Sequence, residues 1–326
     1  MQSVEMRYKP LGLCGTKVSV FGLGGWLTFG KQIADTAEAR AMLHAAFDAG
    51  VNFFDTADVY ANGKSERAMG EVLADFPRHQ VVISSKVFFP MSDEVNDKGL
   101  SRKHIFESVH KSLKRIGTDY LDIYFCHRFD DDTPLEETAR AMDDLVHQGK
   151  ILYWGTSEWS GRQLRDVAER CNGMNLYRPQ VEQPQYNLLA RGKFEHSVRP
   201  AAVELGMGLV CWSPLCMGIL TGKYDAGLIK GSRMEAEEWL REDHYNEENL
   251  ERVRKFKALA DRMECSRAQL ALAWVARQEG VSSVILGANR IEQLKENLAA
   301  LAIDITAEID RELRELFPVA QASQRS

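Results

Sequence analysis

Hydrophobic residues in this chain occur in short runs that alternate with longer segments of helical periodicity. The short runs are rich in β-branched and aromatic residues and end in polar turns, which is typical of buried strands. We predict eight strands, at residues 18–24, 51–56, 81–86, 121–126, 151–156, 179–183, 208–213 and 282–287.

The segments between these runs place apolar residues three and four positions apart, as amphipathic helices do. Residues 36–50 and 101–117 both end in a glycine, a residue that often follows the last turn of a helix. Residues 266–280 and a segment from about Ile291 repeat the pattern. The sequence TPLE, which begins at Thr133, predicts a capping box with proline at the first helical position.

Near-continuously apolar strands separated by helices indicate a parallel sheet that helices cover on the outside. Eight such units predict an α/β fold of the (β/α)₈ TIM-barrel type, with residues 1–326 forming a single domain. The alternative is an open doubly wound sheet with a G-x-G-x-x-G turn, but residues 22–27 read GLGGWL and lack the third glycine. The polar residues 225–249 are predicted as a long loop after strand 7.

The amino-acid composition bears on whether the protein binds nucleic acid, a membrane or a metal. The chain is 44% hydrophobic and 27% charged, which is typical of a soluble globular protein, and its net charge of −6 argues against nucleic acid. The apolar runs are too short to span a bilayer, so we expect no membrane insertion. The six cysteines form no C-x-x-C pair, which favours a cytoplasmic protein without a metal site.

Ionisable residues stand where three successive strands are predicted to end. Asp55, Lys86 and His127 occupy these ends, and Tyr60 follows Asp55 on a loop. Each has an ordinary structural interpretation by itself, but the C-terminal ends of barrel strands meet at one mouth. There Lys86 would lower the pKa of Tyr60, Asp55 would orient the lysine, and Tyr60 would protonate a carbonyl oxygen that His127 also binds. Such a set suits carbonyl reduction with a hydride from a cofactor, and it assigns no role to Asp58.

Ordered blocks along nearly the whole chain resemble aldo-keto reductases. They include GGWLTFGKQ (24–32), FFDTADVYANGKSE (53–66), TPLEETARAM (133–142), YWGTSEWS (153–160) and WSPLCMGILTGKYD (212–225). Within that superfamily the chain is similar to the branch of the voltage-gated potassium channel β-subunits and their plant and bacterial relatives. The resemblance implies a catalytic tetrad with tyrosine as the general acid, matching Asp55, Tyr60, Lys86 and His127.

The resemblance also implies NADPH, extended across the mouth of the barrel. Ser157 and Gln183 would hold the nicotinamide amide, and Lys223 and Arg233 would supply cations. The charges of Arg233, on the long polar loop, and of Arg290, just before a predicted helix, also suit a 2′-phosphate. The full set of implied cofactor contacts is Gly25, Trp26, Gln32, Asp55, Ser157, Gln183, Trp212, Ser213, Pro214, Leu215, Cys216, Lys223, Arg233, Gly287, Asn289, Gln293, Glu296 and Asn297. The substrate side would be walled by Trp26, Tyr60, Phe89 and His127, which suits a flat or aromatic aldehyde.

Two functions follow from this resemblance. The first is NADPH-dependent reduction of aldehydes and ketones to alcohols, with a small carbonyl compound as the partner. The alternative is a regulatory or redox-sensing subunit, like the channel β-subunits, with bound NADPH and slow turnover. Animal channel subunits typically have asparagine where this chain has His127, which favours the enzyme. The branch also implies a homo-tetramer.

Overall fold

The computed structural model describes residues 5–33, 35–230, 232–236, 241 and 244–319. Its strands are β1 Tyr8–Pro10, β2 Lys17–Ser19, β3 Phe21–Gly24, β4 Phe53–Asp55, β5 Val82–Val87, β6 Leu121–Cys126, β7 Ile151–Ser157, β8 Val181–Gln183, β9 Gly208–Cys211 and β10 Val281–Leu286. Its α-helices are α1 Thr36–Asp48, α2 Lys64–Leu73, α3 Arg102–Ile116, α4 Leu135–His147, α5 Gly161–Gly173, α6 Arg199–Leu205, α7 Arg233–Ala236, α8 Glu247–Arg262, α9 Arg267–Ala276, α10 Ile291–Leu298 and α11 Ala307–Leu316.

Eight of the strands form a closed barrel in the order β10-β3-β4-β5-β6-β7-β8-β9, and every neighbouring pair is parallel. Helices connect most successive strands on the outside. The (β/α)₈ prediction is therefore confirmed. Because the strands are parallel, their C-terminal ends lie at one mouth, and this is the mouth that gathers the candidate site.

The first predicted strand, residues 18–24, is two elements rather than one. Its first half, β2, pairs antiparallel with β1 in a separate hairpin, and only β3 enters the barrel. Side-chain hydrogen bonds interrupt the strand between β2 and β3. The Ser19 hydroxyl donates to the carbonyl of Phe21, and the Ser19 N–H donates to Asn52 Oδ1, each at 2.7 Å.

The hairpin closes the end of the barrel opposite the mouth. The Leu13 N–H donates to the carbonyl of Gly206, just before β9, at 2.9 Å. Leu11 and Val18 from the hairpin are fully buried and pack with inward-facing strand residues. Those partners are Phe53, Val82, Ile123, Phe125, Val181, Val210 and Ile285. The interior is thus a packed core that leaves open only the end where the strands finish.

Helix starts follow the sequence with one exception. Ser160 and Ser266 each form a complete capping box, at the starts of α5 and α9. The box predicted at Thr133 does not form, because α4 begins at Leu135 and the Thr133 hydroxyl instead donates to Asp130 Oδ2 at 2.7 Å. Helix α4 therefore starts without a side-chain cap.

A long connection follows the seventh barrel strand, β9, as predicted. It contains a 3₁₀ segment at Cys216–Thr221 and the short helix α7. The predicted loop, residues 225–249, overlaps the start of α8 at Glu247. The side chain of Arg233, predicted to contact the cofactor, lies outside the described part of the chain. Over the described residues, none of the helices combines the length and the apolar character needed to cross a bilayer.

Candidate active site at the mouth of the barrel

A large cleft lies at the C-terminal ends of the barrel strands, with a volume of about 1040 Å³. Tyr60, Phe89 and His127 line one part of it. From there the cleft runs past Trp212 to Asn289, at the start of α10. Its length and mixed polar and apolar lining fit an extended ligand better than a single small molecule.

A buried ion pair forms the base of the catalytic part of the cleft. Asp55 ends β4, and Lys86 lies in β5 with its side chain fully buried. Lys86 Nζ donates to Asp55 Oδ2 at 2.6 Å and to the carbonyl of Thr56 at 2.8 Å. Burial alone would lower the pKa of Lys86, but the Asp55 carboxylate raises it above its usual value. The lysine is therefore charged over the whole neutral range.

Tyr60 faces this ion pair from the loop after β4. Lys86 Nζ lies 3.2 Å from the Tyr60 hydroxyl oxygen. The loop turns sharply behind the tyrosine, where Ala61, Asn62 and Gly63 have φ of 49°, 52° and 79°, within the left-handed region, and α2 then begins. This turn directs the phenol towards the mouth of the barrel.

The pKa of Tyr60 differs from the sequence-based expectation. Burial raises the pKa of the phenol, and the positive charge of Lys86 offsets only part of that effect. Lys86 lowers the pKa as predicted, but the burial of the phenol outweighs this effect, so the net shift is upward. Tyr60 is a protonated phenol at neutral pH, which is the form that can donate a proton.

His127 directly follows β6 and completes the group. Its ring centroid lies 5.7 Å from that of Tyr60 and 4.9 Å from that of Phe89. Burial, together with the charges of Lys86 and Arg128, holds the pKa of His127 well below its usual range. The imidazole is therefore neutral and can act as a hydrogen-bond donor without carrying charge.

The structure places most of the predicted cofactor residues along the cleft. Two of them do not line the cleft: the space beside the Gly25 Cα is filled by Ser65 and Met69, and Cys216, the first residue of the 3₁₀ segment, is fully buried. The predicted residues that do line the cleft are Trp26, Gln32, Asp55, Ser157, Gln183, Trp212, Ser213, Pro214, Leu215, Lys223, Gly287, Asn289, Gln293, Glu296 and Asn297.

Gln183 and Ser157 are tied to the ion pair and to each other. Gln183 Nε2 donates to Asp55 Oδ1 at 3.0 Å, and the Ser157 hydroxyl donates to the Gln183 carbonyl at 2.9 Å. Ser84 donates to the same Asp55 oxygen at 2.7 Å. Asp55 therefore holds polar groups from β5 and β8 around one point, and Ser157 of β7 is joined to them through Gln183.

Trp212 is held by a carboxylate that the sequence analysis did not consider. Glu158 Oε1 accepts from Trp212 Nε1 at 2.9 Å, and Glu158 Oε2 accepts from Lys193 Nζ at 2.8 Å. The Trp212 ring meets that of Trp26 edge-on, with 6.2 Å between the centroids. The two indoles form an apolar wall beside the tetrad. The signal for Glu158 was its position directly after Ser157.

The far end of the cleft has features that suit phosphate groups. Ser213 has a φ of 53°, and its buried hydroxyl lacks a hydrogen-bond partner within the described part of the chain. Lys223 lines the same wall, and Arg290 lies at the start of α10 without making a side-chain cap. A free helix start and cations attract anions. This end therefore fits the charged part of a nucleotide.

Comparison with known sequences agrees with the fold and the site. The sequence profile of the aldo/keto reductase family matches residues 20–316. A rice (Oryza sativa subsp. japonica) protein named "Probable voltage-gated potassium channel subunit beta" is 46% identical over 303 residues, covering 91% of this chain and 92% of that protein. An Arabidopsis thaliana protein of the same name is 45% identical over 303 residues, with the same coverage of both chains.

A more distant relative comes from fission yeast. A Schizosaccharomyces pombe protein named "Putative voltage-gated potassium channel subunit beta" is 40% identical over 325 residues, covering 97% of this chain and 94% of that protein. The family match extends over all eight barrel strands and the cleft between them. The chain belongs to the aldo/keto reductase family, in the branch that includes proteins named as potassium channel β-subunits.

Proposed function

We propose that the protein reduces aldehydes and ketones to alcohols, using NADPH and with Tyr60 as the general acid. The observation that carries this proposal is the Asp55–Lys86–Tyr60 chain of contacts, at 2.6 Å and 3.2 Å, beside the neutral imidazole of His127. The proposal treats the barrel as one catalytic domain. The bound cofactor supplies the hydride.

The four residues have distinct tasks in this reaction. Tyr60 donates its proton to the carbonyl oxygen as negative charge develops there. Lys86 stabilises the phenolate that remains, and Asp55 keeps the lysine oriented and compensates its charge. His127, as a neutral donor, hydrogen-bonds the same substrate oxygen. Trp26 and Trp212 limit the access of water to this point.

The cofactor assignment rests on how the cleft is lined. Aldo/keto reductases generally use a nicotinamide cofactor. The buried hydroxyl of Ser213, with the cations Lys223 and Arg290, supports phosphate binding at the far end. We infer NADPH rather than NADH because these cations suit an additional phosphate. Dissociation constants for the two cofactors, measured by tryptophan fluorescence, test this preference.

Replacement of Tyr60 by phenylalanine tests the role of the acid. Tyr60→Phe should lower kcat for NADPH-dependent aldehyde reduction by about 100-fold or more, because general acid catalysis typically contributes that much. The Kd for NADPH should change little. Tyr177→Phe, at a tyrosine that is 52% exposed, is the matched control and should keep full activity. Equal turnover by Tyr60→Phe and the wild type would refute the assignment.

The names of the relatives support a second candidate, a channel-associated subunit that carries NADPH and turns over slowly. The same assay separates the two functions. Binding of NADPH with negligible turnover across a panel of carbonyl compounds, together with co-purification with a channel, would favour the subunit. A homo-tetramer, proposed from the branch, is measurable by analytical ultracentrifugation in either case.

A further inference from the structure

Arg128 is a charged residue of the cleft to which the proposed reaction gives no task. It follows His127 directly, and its guanidinium lies 5.3 Å from the ring centroid of Phe89. Phe89 in turn contacts the His127 ring. Arg128 Nη1 donates to the backbone carbonyl of His127 at 2.5 Å, which holds the guanidinium itself in place and leaves its other N–H groups as donors. The guanidinium is therefore held at the substrate end of the cleft.

No carboxylate in the described part of the chain forms an ion pair with Arg128. Asp130, two residues away, accepts hydrogen bonds from Leu100, Asp132 and Thr133 instead. By contrast, the half-buried Arg115 is paired with Glu66.

A half-buried guanidinium that lines a cleft and has no ion-pair partner there is available to an anionic ligand. Lys86 is not available to an anionic ligand in the same way, because the Asp55 carboxylate already neutralises its charge. Arg128 thus brings a positive charge to the part of the cleft that Phe89 and His127 line. The cations proposed for the cofactor, Lys223 and Arg290, lie in the other part of the cleft, with the loop after β9 and the start of α10.

We propose that the substrate carries an anionic group, a carboxylate or a phosphate monoester, which Arg128 binds while the carbonyl lies between Tyr60 and His127. This inference rests on the proposed reductase function and narrows its substrate class. The planar guanidinium presents paired donors that match both kinds of anion. Phe89 supports the guanidinium from one side, and the ring of an aromatic substrate can lie against the wall of Trp26 and Trp212.

The charge of Arg128 changes the kind of substrate that the apolar wall alone would suggest. Trp26 and Phe89 suggested a flat, uncharged aldehyde, whereas Arg128 adds a requirement for charge at one end. Arg128 contacts Phe89, and His127 contacts both Phe89 and Tyr60. Because these contacts are close, we expect the anionic group and the carbonyl of the substrate to be separated by a short chain or one ring.

Matched substrate pairs test the proposal. 4-Formylbenzoate is compared with its methyl ester, and glycolaldehyde phosphate with glycolaldehyde, so that the two arms identify which anion is preferred. The wild type should favour the anionic member of at least one pair in kcat/KM. In Arg128→Met the ratio of anionic to neutral kcat/KM should fall about tenfold or more, which is the usual value of a charged hydrogen bond. Arg128→Lys should recover part of that ratio.

The control is Arg162→Met, at a side chain that is 90% exposed on α5, and it should leave both ratios unchanged. An unchanged ratio in Arg128→Met overturns the inference, even if the enzyme reduces neutral aldehydes well. If no carbonyl compound is turned over, the proposed function fails, and direct binding decides the inference. Quenching of tryptophan fluorescence by 4-formylbenzoate should then be weaker in Arg128→Met; equal binding overturns the inference.

Discussion

Two aspartates close together in the chain, Asp55 at the end of β4 and Asp58 on the loop after it, differ in their surroundings. Asp55 is paired with Lys86, whereas Asp58 is buried and accepts from the Val59 N–H at 2.7 Å and from the Ser108 hydroxyl at 2.8 Å. Burial raises the pKa of Asp58 to about 7, although the bond from Ser108 opposes the shift. Asp58 thus ties the Tyr60 loop to α3, and its burial favours the protonated carboxyl group.

Asp58→Asn should make stability less dependent on pH. The usual carboxyl pKa is 3.8 and the folded value is about 7, so between these values the folded chain binds the extra proton and stability falls as the pH rises. The loss is on the order of a few kcal/mol. The Tm of Asp58→Asn relative to that of the wild type should therefore be higher at pH 8 than at pH 5. Differential scanning fluorimetry measures both Tm values.

Asp131→Asn, at an exposed carboxylate, is the control and should show the same pH dependence as the wild type. Glu182 is also buried, and burial raises its pKa to about 8. Its contribution is common to both proteins and cancels in the difference. A difference in Tm that is constant from pH 5 to pH 8 would contradict the account of Asp58.

At the scale of elements, side-chain caps determine where several helices begin. The capping box at the start of α5 joins the Ser160 hydroxyl to the Gln163 N–H at 3.3 Å and the Gln163 side chain to the Ser160 N–H at 2.8 Å. This start lies two residues after Glu158, which holds Trp212. The cap therefore stabilises a segment that shapes the cleft.

Ser160→Ala should lower the free energy of unfolding by about 1 kcal/mol, since it leaves N–H groups of the first turn unpaired. Ser160→Asp keeps an acceptor at the same place and should stay close to the wild type. Urea denaturation followed by circular dichroism measures both. If the two variants lose equal stability, the hydroxyl cap is not what holds the helix start.

The whole barrel closes through close contacts between strands. A Cβ at Gly155, in β7, would lie 2.5 Å from the backbone carbonyl oxygen of Val181, in β8. Neither backbone can move without disturbing the closed ring of strands. Gly173, at the end of α5, has open space around its Cα. The same chemical change is thus expected to have opposite effects at the two sites.

Gly155→Ala should destabilise the protein by about 1–3 kcal/mol through overpacking. Gly173→Ala should be neutral or stabilise it by up to about 1 kcal/mol, because alanine has the higher helix propensity. Urea denaturation of the two variants in parallel measures the contrast. A Gly155→Ala variant as stable as Gly173→Ala would mean that the seam between β7 and β8 is loosely packed.

Local patterns predicted the elements well because burial imposes a period that the sequence must follow. The eight strands and the strand-end positions of Asp55, Lys86 and His127 were readable in this way. The split at Ser19 was not, since it depends on Asn52, a residue distant in sequence. The Thr133 hydroxyl, likewise, was predicted to cap the helix that follows, but in the folded chain it bonds Asp130 instead.

The sequence by itself determined the barrel, the family and the residues gathered at the mouth, because these follow from periodicity and from ordered blocks of residues. The tertiary structure decided the electrostatics. Burial in the folded chain raises the pKa of Tyr60. Gly25 and Cys216 do not line the cleft, and Arg128 has no carboxylate partner within the described residues. These properties depend on desolvation and on distances between separate strands and loops, which a linear pattern does not contain.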